Sequence, residues 1–66
     1  MNLRKSEYEK IENAYIKLLR HNMLVQDKTL TAILDIIPNL NHYTEVKLIL
    51  KKHNYFYLVK DIFEPY

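Results

Sequence analysis

The sequence predicts an all-α fold, a single small domain over residues 1–66 with three amphipathic helices and a fourth helix at the carboxyl end. Three observations support this fold class. Apolar residues recur at helical spacing in three successive segments, common capping residues precede those segments, and the last segment lacks the alternation of a half-exposed strand. The chain contains no internal repeat, linker or low-complexity tract, so a second domain is not expected.

A capping box from Ser6 to Glu9 predicts the start of helix 1, which we expect at roughly residues 7–23. Acidic residues lie in its first turns and basic residues in its last turns, as the helix dipole favours. Ile16 lies about 80° from the centre of the apolar stripe and is interpreted as an ordinary surface residue. The stripe that should face the core comprises Tyr8, Ile11, Tyr15, Leu18 and Leu19.

Helix 2 is predicted at roughly residues 28–37. Asp27 or Thr29 can cap its first turn. Pro38 ends it, because proline disfavours helical backbone at the residue before it. The apolar residues follow the i, i+3, i+4, i+7 pattern of one helix face and are Leu30, Ile33, Leu34 and Ile37.

Helix 3 is predicted at roughly residues 42–53. Asn39 or Asn41 can cap its start, and Asn54 can end it because asparagine tolerates the left-handed conformation. Its core-facing arc comprises Tyr43, Val46, Ile49, Leu50 and His53.

The tail that follows helix 3 fits two structures. Its apolar residues Tyr55, Leu58, Val59 and Ile62 have helical spacing and favour a fourth helix over residues 55–64. The alternative is a β-hairpin, because aromatic and β-branched residues are dense here and the pair after Val59 could form a tight turn.

The composition excludes several kinds of chemistry. The chain has no cysteine and no glycine, which excludes disulfides, thiolate metal sites and glycine-rich phosphate loops. His42 and His53 are about 16 Å apart along helix 3, so they cannot share a metal ion. A core this small offers little room for a substrate pocket. We therefore predict a protein that is not an enzyme and uses no cofactor or metal.

Charge and hydropathy predict a soluble cytoplasmic protein. The net charge is only +2, and no apolar run exceeds five residues. A membrane-spanning helix needs about 20 apolar residues. The frequent use of Asn, Lys, Ile and Tyr would suit an AT-rich genome, a virus or a mobile element.

A surplus of apolar side chains predicts a role in protein interaction. A chain this short buries only about 60% of its unfolded surface. In a helical tail, the aromatic residues lie on more than one face, and one leucine of helix 3 lies opposite its core-facing arc. We therefore predict an inhibitor or adaptor that binds a larger protein or a second copy of itself. Its apolar contacts would be Leu48, Phe56, Tyr57 and Phe63, and its polar rim would be Lys47, Lys51 and Lys52.

The order of elements also resembles a winged-helix DNA-binding domain. The resemblance covers residues 6–66 and comprises helix 1, the short helix 2, the break at residues 38–41, helix 3 and a strand-prone tail. It implies that helix 3 enters the major groove and that the tail forms the wing. The alternative function that it implies is a small transcription regulator. The residues facing DNA would be Asn41, His42, Thr44, Lys47 and Lys51.

Overall fold

The computed structural model describes residues 4–40 and 42–65, and within them the fold is all-α, as predicted. No strand forms in this part of the chain, so the alternative β-hairpin in the tail is wrong. The helices are α1 (Lys5–Val25), α2 (Lys28–Ile36), α3 (Tyr43–Lys52) and the single-turn α4 (Lys60–Phe63), with 3₁₀ turns at Ile37–Asn39 and Phe56–Leu58.

Helix α1 begins earlier than the capping box predicted. Arg4 is its N-cap, and the backbone N–H of Arg4 donates to the Glu7 carboxylate over 3.2 Å. The prediction that Ser6 caps the helix is therefore wrong, because Ser6 already lies inside the first turn. At the other end, Gln26 adopts a left-handed conformation with φ of 52° and its N–H donates to the Asn22 carbonyl. The helix is longer than predicted at both ends.

The buried face of α1 is rotated from the predicted stripe. Ala14 and Leu18 are fully buried, whereas Tyr8 and Leu19, which were expected to face the core, are exposed. Helix α1 carries apolar residues on two sides. Helical periodicity alone does not predict which of the two sides packs against the other helices. The structure covers the side that bears Leu18, against which α2, α3 and α4 pack.

The corner between α1 and α2 is held by polar side chains. Asp27 caps α2 as predicted, accepting hydrogen bonds from the N–H groups of Thr29 (2.9 Å) and Leu30 (3.4 Å). The Asn22 side chain accepts from the Asp27 N–H and donates to the Thr31 hydroxyl. The predicted apolar face of α2 is confirmed, since Leu30, Ile33, Leu34 and Ile37 are all buried.

Helix α3 ends in a Schellman motif. Asn54 has a φ of 63°, and the N–H groups of Asn54 and Tyr55 donate to the carbonyls of Lys51 and Leu50. This confirms the predicted stop. The N-cap of α3 is His42, without a side-chain cap, so the suggested cap at Asn39 is wrong.

The tail is helical but broken into two turns, which corrects the predicted continuous helix over residues 55–64. Val59 separates the 3₁₀ turn from α4, with a φ of −125° and a ψ of 10°. Phe56, Val59 and Phe63 have the three- and four-residue spacing of one helix face, and all three side chains are buried. The buried side of the tail is therefore rotated from the predicted stripe, whose other members Tyr55, Leu58 and Ile62 are only half-buried.

One hydrogen bond ties the tail to the α1–α2 corner. The hydroxyl of Tyr55 donates to the Asp27 carboxylate over 2.5 Å. This bond lowers the pKa of Asp27, and it raises the pKa of Tyr55 to about 12. The pair therefore favours the folded chain above the ordinary pKa of an aspartate, and this contribution is lost as the pH falls through the lowered pKa of Asp27.

We expect Tyr55→Phe to raise the pKa of Asp27 and to flatten the acid limb of the stability profile. The phenyl ring keeps the packing of this half-buried side chain but cannot donate to the carboxylate. The free energy of unfolding, measured by denaturant titration from acid to neutral pH, checks this expectation. Tyr57→Phe is the matched control, because Tyr57 is exposed. Equal pH dependence in Tyr55→Phe and the unaltered chain would contradict the assignment.

Candidate functional site

Two of the predicted partner-binding aromatics belong to the core. Phe56 and Phe63 are 9% and 4% exposed, so the expectation that they protrude is wrong. Their rings stack with centroids 5.8 Å apart, and Tyr43 meets Phe63 edge-on at 5.3 Å. These two rings, which the sequence assigned to a binding surface, are therefore buried within the chain together with Val59.

Two of the three lysines of the predicted basic rim contact other residues of the chain. The ammonium groups of Lys47 and Lys51 lie 3.3 and 3.9 Å from the Glu64 carboxylate. The same groups lie over aromatic rings, Lys47 over Tyr43 and Lys51 over Phe56, at 5.5 and 4.7 Å from the ring centroids. These contacts hold the tail against α3 and reduce the positive charge that this face offers to a ligand.

The other predicted partner-binding residues are exposed. Leu48 is 59% exposed on α3, Tyr57 is 71% exposed in the 3₁₀ turn, and Lys52 is exposed at the end of α3. Leu48 is the single apolar residue among the exposed positions of α3. Isolated exposed apolar residues are common on protein surfaces and do not by themselves mark a site.

Of the residues proposed to face DNA, Thr44, Lys47 and Lys51 share one face of α3. His42 and Thr44 are exposed at the start of α3, Lys47 and Lys51 are paired with Glu64, and Asn41 lies outside the described residues. The tail that was to form the wing is helical.

An exposed apolar stripe lies on α1, on the side away from the core. Ile16 and Leu19 are each 42% exposed, and Met23 is 71% exposed. Glu12, Ile16, Leu19 and Met23 follow one another at intervals of four, three and four residues. They therefore form one stripe along the helix. We call the surface of Glu12, Ile16, Leu19 and Met23, with Arg20 beside it, the outer face of α1.

The apolar pattern of the sequence did not predict a binding site on this surface. Leu19 was expected in the core, Ile16 was interpreted as an ordinary surface residue, and Met23 was not assigned to a site. The available signal was the spacing of Ile16, Leu19 and Met23, which is a second helical stripe on the same helix. Its meaning became visible only once the other side of α1 was seen to be covered.

An apolar groove adjoins the outer face. It lies between the first half of α1 and the turn after α2, and its volume is about 260 Å³. This is below the range of about 300–1,000 Å³ typical of small-molecule sites and suits a protein side chain. Glu12 belongs both to the groove and to the outer face, so the two are continuous. The groove is lined by Tyr8, Ile11, Glu12, Tyr15, Ile37, Pro38 and Leu40.

Charged residues border this surface. Glu9 and Glu12 lie towards the start of α1 and Arg20 towards its end, and all three are exposed. Among the described residues, the ion pairs are those of Lys17 with Asp61 and of Lys47 and Lys51 with Glu64. The charges beside the outer face are therefore not engaged in ion pairs within residues 4–40 and 42–65.

The described part of the chain has no group of three His, Cys, Asp or Glu residues placed to hold a metal ion. None of its helices has the length and hydropathy needed to cross a membrane. No protein-family model matches the chain, and neither a curated protein nor a solved structure resembles it significantly.

Proposed function

We propose that the chain is a small, non-catalytic interaction protein that binds another protein through the outer face of α1 and the adjoining groove. The observation that carries this proposal is the second apolar stripe of α1, which remains exposed although the opposite side of the helix is buried. Contiguous exposed apolar surface with a polar border is typical of protein-binding sites. Binding of this kind would allow the protein to mask or bridge a larger partner in the cytoplasm, as an inhibitor or adaptor does.

The residue types support the proposal. Methionine, tyrosine and arginine are enriched in interfaces, and the surface combines Met23, Tyr8, Tyr15 and Arg20. Met23 is flexible and can adapt to the shape of a partner. The groove can take one apolar side chain, which is how a partner helix commonly anchors itself. The acidic and basic ends of the face would then set the direction of that helix.

The outer face favours protein binding over the DNA-binding alternative. Its charge is mixed, with Glu9 and Glu12 on one half, and acidic residues oppose contact with phosphate. The basic residues that supported DNA binding are instead paired with Glu64 or stacked over rings. No observation in the fold favours the transcription regulator.

We expect Met23→Glu to abolish capture of the protein partner. The interface would bury this charge without a partner, which typically weakens binding about thirtyfold or more. The experiment compares tagged chains in a pull-down from host lysate, with and without nuclease, and identifies bands that Met23→Glu loses. Tyr57→Glu is the matched control, because Tyr57 and Met23 are both 71% exposed.

The control separates the competing surfaces. Loss of the same bands in Tyr57→Glu but not in Met23→Glu would return the site to the tail, as the sequence suggested. Bands that disappear with nuclease would point to nucleic acid. Circular dichroism of each variant shows whether the helices are intact.

A further inference from the structure

We infer that, until a larger partner binds, the outer face of α1 is covered by a second copy of the chain, packed antiparallel to the first. This inference rests on the proposed function, because it names the occupant of the surface which that function uses. The two copies would be related by a twofold axis that passes near Ile16. A chain of this length gains from a second copy, since a small domain buries a limited share of its surface alone.

The charges beside the stripe are self-complementary in this arrangement. Glu12 and Arg20 lie four residues to either side of Ile16, each about 6 Å from it along the axis at 1.5 Å per residue. An axis at Ile16 therefore places Glu12 at the level of Arg20 of the second copy, and the twofold repeats the contact. A parallel arrangement would instead place each of these residues opposite its own copy, with repulsion at both levels.

The apolar surface is self-complementary in the same arrangement. The groove occupies the part of α1 between Tyr8 and Tyr15. An axis at Ile16 places this part opposite residues 17–24 of the second copy. The apolar side chains of the outer face in that range are Leu19 and Met23, which are 42% and 71% exposed. Each copy thus offers a groove at one end of α1 and projecting side chains at the other.

The test uses charge exchange at Glu12 and Arg20, two exposed positions where substitution leaves the core intact. Sedimentation equilibrium of the full chain over a range of concentrations measures the dimer dissociation constant. Glu12→Arg alone and Arg20→Glu alone each turn two attractive contacts into two repulsive ones, so each should weaken the dimer about tenfold or more. The double variant should restore the affinity of the unaltered chain. The two single variants, mixed in equal amounts, should form a mixed dimer tighter than either forms alone.

Two results would overturn the inference. One is a monomer at every concentration. The other is a dimer that is unchanged by the single substitutions, which is the pattern of a parallel pair or of a different interface. These failures are distinct from failure of the proposed function. A monomer that still captures a protein in a Met23-dependent way leaves the function standing. A charge-dependent dimer without any such capture leaves the second copy as occupant and removes the larger partner.

Discussion

Leu18→Ala should lower the free energy of unfolding by about 2–5 kcal/mol, the usual cost of truncating a fully buried leucine to alanine. Leu18 has no exposed surface and lies at the centre of the buried side of α1. A domain of this size is typically stable by roughly 3–10 kcal/mol, at about 0.05–0.15 per residue. The substitution therefore removes a large share of the stability, and it should unfold part of the population at room temperature. Denaturant titration followed by circular dichroism measures the effect.

Leu24→Ala is the matched control for this prediction. It makes the same chemical change on the same helix, but Leu24 is 86% exposed. We expect a change within about 0.5 kcal/mol, as for most surface substitutions. Similar effects in the two variants would mean that the buried side of α1 has been misassigned, and with it the outer face.

Phe63→Ala should cost about 3–5 kcal/mol, the range for deleting a buried phenylalanine. The Phe63 ring contacts those of Phe56 and Tyr43, so its loss leaves a cavity between α3 and the tail. The tail should loosen first, because α4 is a single turn held mainly by this packing and by the Lys17–Asp61 ion pair. Denaturant titration gives the total loss, and amide hydrogen exchange in the tail shows where it is located.

Tyr57→Ala is the matched control for the tail. It removes an aromatic ring that is 71% exposed and should change the stability by no more than about 0.5 kcal/mol. If Phe63→Ala kept the stability of the unaltered chain but lost binding to a partner, the ring would be an interface residue. The original sequence prediction for Phe63 would then replace the present assignment.

The site was less predictable than the fold, and the lysines show why. Lys47 and Lys51 are one helical turn apart, and this spacing suggested a basic surface on α3. Glu64 pairs with them from 17 and 13 residues further along the chain, and its one negative charge offsets one of their two positive charges. Pairing at that sequence distance leaves no periodic signal, so the charge pattern of α3 alone overstated its positive field.

The sequence by itself determined the helical class and several helix ends, because these depend on neighbouring residues. Asp27 starts α2 by accepting from N–H groups within one turn, and Asn54 ends α3 by adopting a left-handed backbone. Only the tertiary structure decided which side of α1 is buried and that Phe56 and Phe63 lie inside. Both sides of α1 bear apolar stripes of similar spacing, and the choice between them depends on contacts with α2, α3 and the tail. Such contacts join residues that are far apart in the chain, and helical periodicity reports only on residues that are near.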